Sequence, residues 1–133
     1  MIEEAYVSYK VSKLLKERGF NEYCPKSYSK CFDNKLEDRS ISDWGKLNQY
    51  PAPTQQMAML WLREKHNIFI SIQPDFPSEQ DYKLCWCWSA NILHENCISA
   101  KGYQCYIETY EKACEAALLY SLENLVAPKE NNE

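Results

Sequence analysis

Apolar and polar positions change period several times along this chain, and each change marks an element boundary. Val7, Val11, Leu14 and Leu15 recur at the spacing of one helical face. They predict a helix from Ser8, or slightly earlier, to Arg18, stopped at Gly19, with Phe20 placed to fold back on its end. Ala58, Trp61 and Leu62 repeat the pattern between Thr54 and His66. Pro51 and Pro53 deliver the chain to this second helix, since proline is excluded from a helix interior but suits its approach and first turn. Thr54 is a natural N-cap, and Asn67 tolerates the left-handed conformation that commonly ends a helix. At Ile68 the period drops to two. Ile68, Ile70 and Ile72 predict a strand over Ile68–Gln73, broken by Pro74 and Pro77. Tyr82, Leu84, Trp86 and Trp88 then alternate with Lys83, Cys85, Cys87 and Ser89, predicting a strand over Tyr82–Ser89 that can extend to Leu93.

Beyond it, His94-Glu95-Asn96 and Ser99-Ala100-Lys101-Gly102 read as turns, and Tyr103–Glu108 reads as the last strand. Thr109 caps a final helix that runs to Leu125, with Glu111 in the first turn, where negative charge is favoured. Tyr110, Ala113, Cys114, Ala117, Leu118, Leu122 and Leu125 share a face, and its small members allow close seating on a sheet. Upstream, Tyr23–Phe32 reads as an edge strand because Pro25 lacks a ladder donor. Asp33–Gln49 is polar and without period, a long loop with room for a short strand near Arg39–Trp44. The expected fold is one α+β domain over residues 1–127, with a frayed tail at 128–133. Its form is a two-layer sandwich of a three- to four-stranded antiparallel sheet with helices packed mainly on one face. Leu84, Trp86 and Trp88 are expected to point toward the helices, with Lys83, Cys85 and Cys87 opposite, because the helices need the larger apolar bed.

Composition adds limits. At 133 residues with 45% hydrophobic and 26% charged positions, the chain matches a single globular domain. Three glycines argue against a glycine-rich phosphate loop. The net charge of −4 disfavours a generic nucleic-acid footprint, which depends on cations displacing counterions. Lys10, Lys13, Lys16 and Arg18 form a local basic cluster on the first helix, read as a solvated face with cations near its C-terminus. The seven cysteines are odd in number and follow an acidic start, Met1-Ile2-Glu3-Glu4, with no secretory pattern. The expectation is seven free thiols in a reducing cytoplasm. No stretch of about 18 apolar residues is present, so no membrane span is expected.

Chemistry is sparse. Cys85, Cys87, His94 and Cys97 are the one ligand-like grouping, but two cysteines on one strand face lack the knuckle turn of a structural zinc site. His66 and His94 are the available imidazole bases, and neither shows an acidic partner. No catalytic, cofactor-binding or metal-binding residue is therefore assigned, and no cofactor is expected. Exposed sheet aromatics such as Trp86, Trp88, Tyr103 and Tyr106 can stack single-stranded bases, whereas buried ones supply core area.

Ala52-Pro53-Thr54-Gln55 with Trp61–Asn67, Thr109–Ala113 with Ala116-Ala117, and Leu14–Asn21 resemble a group of small uncharacterised proteins of gut Bacteroidales genomes and their prophages or mobile elements. The likeness covers the three predicted helices, about half of the chain, and carries no activity with it. The expected function is a non-enzymatic binding or accessory module of a phage or mobile element, acting through protein contacts with an unidentified partner. The alternative is a nucleic-acid-associated protein using sheet aromatics and the basic N-terminal helix.

Overall fold

The computed structural model describes residues 2–29, 35–38, 49–76 and 83–128. Its three helices start and stop where their capping chemistry directs. Ser8 Oγ accepts from the Val11 N–H at the start of α1 (Tyr9–Glu17). Gly19, at a φ of 96° that side chains resist, ends it. The Gly19 N–H reaches Lys16 O and the Phe20 N–H reaches Leu15 O, satisfying the last carbonyls and burying Phe20. Thr54 caps α2 (Gln55–His66), and Asn67 closes it in the left-handed region at φ 56° and ψ 30°. Thr109 caps α3 (Tyr110–Asn124) by accepting from the Lys112 N–H.

The strands form two antiparallel sheets of three. β1 (Lys26–Ser29), β2 (Leu36–Asp38) and β3 (Gln49–Pro51) are ordered β2-β1-β3. β4 (Ile68–Asp75), β5 (Cys85–Leu93) and β6 (Ile98–Ile107) follow one another as β4-β5-β6. The α+β class and the antiparallel sheet expected from sequence are thus present, and a second small sheet accompanies them. Several local readings change. β1 is the central strand of its sheet, not an edge, because Pro25 precedes the ladder instead of entering it. β2 and β3 arise inside and at the end of the segment read as loop; the short strand placed at 39–44 lies outside the described residues. Pro74 does not break β4. It pairs with Trp86 on an edge strand, where a missing N–H is tolerated.

Gly102 is not a turn residue either: β6 runs straight through it, and the turn is confined to residues 94–97, where the His94 N–H reaches Cys97 O. The glycine is required by a close approach, since a Cβ there would stand 2.4 Å from Tyr120 Cε1. The ladder slips between Ala90 and Asn91, leaving Lys101 as an extra residue, and its carbonyl accepts from the Tyr120 hydroxyl at 2.7 Å.

The core lies around α3, which packs on β4, β5 and β6 and touches both α1 and α2. Cys114, Leu118 and Leu122 turn toward Val11, Leu15, Trp61 and Leu62. Ala113 and Ala117 turn toward Trp88 and Ala90. Polar links fix the helix in place. Ser8 Oγ donates to Glu115 Oε2 at 2.6 Å, and Gln55 Nε2 donates to Glu111 O at 3.0 Å. Arg18 Nε shares its single N–H between Leu122 O at 2.8 Å, a carbonyl in the last turn of α3, and Val126 O at 3.0 Å just beyond the helix. Trp88 is 5% exposed against Tyr120, and half-buried Trp86 meets the ring of Tyr110 edge-on, so both tryptophans face α3 as expected. Leu84 does not join them: it precedes the strand and is 42% exposed, while Cys85 is buried.

Trp88→Ala is expected to cost roughly 3–5 kcal/mol in urea denaturation, with a smaller loss for half-buried Trp86→Ala. Gly102→Ala should cost roughly 1–3 kcal/mol through overpacking against Tyr120. In a Tyr120→Ala background that penalty should disappear, since the atoms the new methyl meets are gone; a penalty that persists would assign the glycine to backbone conformation instead.

Candidate functional site

With α3 covering one face of the β4-β5-β6 sheet, strand alternation turns a second set of side chains the other way. Ser71 of β4, Ser89 of β5 and Tyr103 of β6 stand in register across it, flanked by Gln73 beside Cys87 and by Phe69 beside Asn91. Ser71, Gln73, Cys87, Trp88, Ser89 and Tyr103 line a shallow groove of about 110 Å³. Asn91 Nδ2 donates to Phe69 O and to Ser89 Oγ, both at 3.3 Å. Tyr103 and Tyr106 are 72% and 73% exposed, and Phe69 is 43% exposed.

The reactive feature of this face is a disulfide joining Cys87 and Cys105, with Cα atoms 4.1 Å apart. Its basis is a bulge: Trp86 pairs with Ile107 and Trp88 with Gln104, so Cys105 and Tyr106 together oppose Cys87. Tyr106 takes up the slack with a φ of 64°. The expectation of seven free thiols is corrected by this pair. The odd count and acidic start spoke for free thiols, but an 18-residue separation says nothing about cross-strand register until the turn and bulge are placed. Cys85 and Cys114 are buried, Cys97 is exposed, and Cys31 lies outside the described residues. Burial pushes the Cys114 thiol up to about 11, which leaves it protonated and unreactive. Asp75 lies across from Cys85 on β4, and its Oδ2 is 3.9 Å from Cys87 Sγ. On the other side the Tyr103 hydroxyl donates toward Cys105 Sγ at 2.8 Å. Among the described residues, Asp75, Cys87 and Cys105 present ligand atoms that all lie within 4.8 Å of one another.

The grouping read from sequence does not assemble. Cys85 opens β5 and His94 follows its end, about nine residues or roughly 30 Å along an extended strand, too far to share an ion. Sequence reasoning missed Asp75 and Cys105, and singled out Tyr103 only as a sheet aromatic. Their signal was a cysteine in each of two neighbouring predicted strands, obscured by the turn placed at Ser99–Gly102. His66 packs edge-on to Trp61 with ring centroids 4.7 Å apart. The basic cluster also divides: Lys10 and Lys13 are exposed, Lys16 Nζ donates to Gln49 O at 2.8 Å, and Arg18 holds the end of α3. Two larger concavities lie beside the N-terminal segment. One of about 500 Å³ is lined by Glu3, Glu4, Tyr6, Lys26 and Leu36; another of about 290 Å³ includes Tyr23, Pro53 and Met57. In the first, Lys26 is held by Asp38.

Among the described residues no helix is long and apolar enough to cross a membrane. Comparison with known proteins finds no family model, no curated protein and no solved structure that matches this chain.

Burial holds the His66 imidazole below its ordinary 6.5. Between the folded value and 6.5 the unfolded chain binds the extra proton, so the stability present at neutral pH is lost as pH falls from 6.5 through the folded value. Thermal melts from pH 7.5 to 5 should therefore show a steeper fall for the native protein than for His66→Gln. Parallel curves would place the acid sensitivity elsewhere.

Proposed function

We propose that this protein is a non-enzymatic binding or accessory module of a phage or mobile element, acting through protein contacts made by the open face of the β4-β5-β6 sheet. The observation that supports this reading is the chemistry of that face. Tyr103, Tyr106 and Phe69 offer large, stiff contact area, while Ser71, Ser89, Asn91 and Gln73 offer adaptable hydrogen bonding. Antibody-type binding surfaces use the same division of labour between tyrosine and small polar residues. Apart from Asp75, these residues of the face are uncharged, and charge is depleted at the centres of such interfaces. The mobile-element setting rests on the resemblance of the three helical segments. A cytoplasmic setting is part of the same proposal.

The nucleic-acid reading has less support. Trp86 and Trp88 are engaged by α3, and two of the four cations on the first helix are engaged with backbone carbonyls. The deciding experiment is quantitative affinity capture from host extract, with native protein and a Phe69→Ser/Tyr103→Ser variant as baits, both checked for unchanged melting. A specific protein retained by the native bait and weakened at least about tenfold by the variant supports the proposal. Equal retention by both baits overturns the assignment of the face. Binding of single-stranded nucleic acid that falls steeply with salt replaces protein recognition with the alternative.

A further inference from the structure

The proximity of Cys87 and Cys105 is imposed by the ladder and does not depend on the S–S bond alone. Paired residues hold β5 to β6 on both sides of the bulge, from Trp86 with Ile107 to Leu93 with Ile98. Reduction therefore leaves two thiols facing each other on a formed sheet, with Asp75 brought beside them from β4. Two uses for such a grouping compete. Thiol–disulfide exchange needs a thiolate of lowered pKa, and a neighbouring carboxylate works against one. A divalent cation gains from the same arrangement, because it neutralises two thiolates and a carboxylate together.

We propose that the dithiol form of Cys87 and Cys105, with Asp75, is a binding site for a thiophilic divalent cation of the zinc type, and that disulfide formation releases the metal. Two sulfurs and one carboxylate oxygen make three ligands of a tetrahedral site, with the fourth position left to water or another donor. Tetrahedral geometry at Zn–S lengths of about 2.3 Å sets the sulfurs about 3.8 Å apart, within reach of side-chain rotation on adjacent strands. The Tyr103 hydroxyl, already directed at Cys105 Sγ, becomes an outer donor to the bound thiolate.

The steps balance. A dithiol reductant passes two electrons and two protons to the S–S bond, giving two protein thiols and the reductant's own disulfide. On metal entry the two S–H bonds break, two metal–sulfur bonds and one metal–oxygen bond form, and two protons leave to solvent. A small disulfide reverses the process: it takes two electrons from the thiolates, the S–S bond re-forms, its sulfurs leave as thiolates and the metal departs. In a reducing compartment the dithiol form prevails. The inference goes beyond the proposed partner binding, and its readouts do not depend on any partner.

The test uses full-length protein carrying Cys97→Ser, which removes the exposed thiol of the 94–97 turn. The protein is reduced with dithiothreitol, desalted without air, and titrated with Zn²⁺ against a chromophoric chelator, with released protons measured in weak buffer. One zinc per chain and about two protons per zinc are expected near neutral pH, where free thiols are protonated. The disulfide form should take up none. Asp75→Asn should weaken zinc binding by at least about tenfold, no less than the loss of an outer-shell partner, while leaving the melting of the disulfide form unchanged. Cys105→Ser should abolish binding with far-UV dichroism preserved. Equal uptake by both redox forms, undiminished affinity in Asp75→Asn, or no zinc on folded reduced protein each overturns the proposal. So does loss of the fold on reduction, since the site depends on the intact ladder.

Discussion

The close seating of α3 on the β4-β5-β6 sheet is the constraint on which the rest of this structure depends. Ala113 and Ala117 have so little side chain that the helix axis can approach Trp88 and Ala90 directly. At the far end the approach is closer still, with the Tyr120 ring lying over Gly102 where no side chain fits. The same helix turns Cys114, Leu118 and Leu122 into the second half of the core, which joins α1 and α2 to the sheet. Loss of contact along either stripe therefore separates layers. Packing density explains the sensitivity, because interiors packed as tightly as organic crystals transmit small changes in volume.

Polar groups do for α3 what apolar contacts cannot. Its N-terminal half is tied through Glu111 and Glu115 to Gln55 and Ser8, and Arg18 meets Leu122 O in its last turn and Val126 O just beyond it. These bonds connect residues more than fifty positions apart, and they use cations and amides that otherwise read as surface. Ser121 is the exception: its buried hydroxyl has no partner among the described residues. Such an oxygen carries a desolvation cost that its neighbours leave unanswered.

Covering one face of a three-stranded sheet leaves the other free of α3, and the Asp75, Cys87 and Cys105 grouping lies on that second face. The bulge at Cys87 brings Cys105 and Tyr106 opposite a single residue, and a bulge is a common device for re-aiming side chains. Asp75, Cys87 and Cys105 meet there because three strands bring one residue each to the same spot. The neighbouring tyrosines and small polar residues make up the rest of the face. The disulfide and the proposed recognition surface thus share a face for a single reason, which is that α3 occupies the alternative.

The helices were legible because their signals are local. Ser8 and Gly19 bracket α1, Thr54 and Asn67 bracket α2, and Thr109 opens α3, each through backbone groups within a few residues. The period-two runs at Ile68 and Trp86 were legible for the same reason, as was the direction in which both tryptophans point. Pro74 and Gly102 were misread because their local meaning, break and turn, yields to tertiary context. An edge position excuses the proline, and an overlying ring demands the glycine. The Cys85, Cys87, His94 and Cys97 grouping, rejected as a metal site from sequence, does not converge, because spacing along one strand measures distance in sequence only. Which strand is central, where a ladder slips, and which cysteine faces which are settled by pairing between segments. Such pairing joins segments distant in sequence, so no local pattern encodes it.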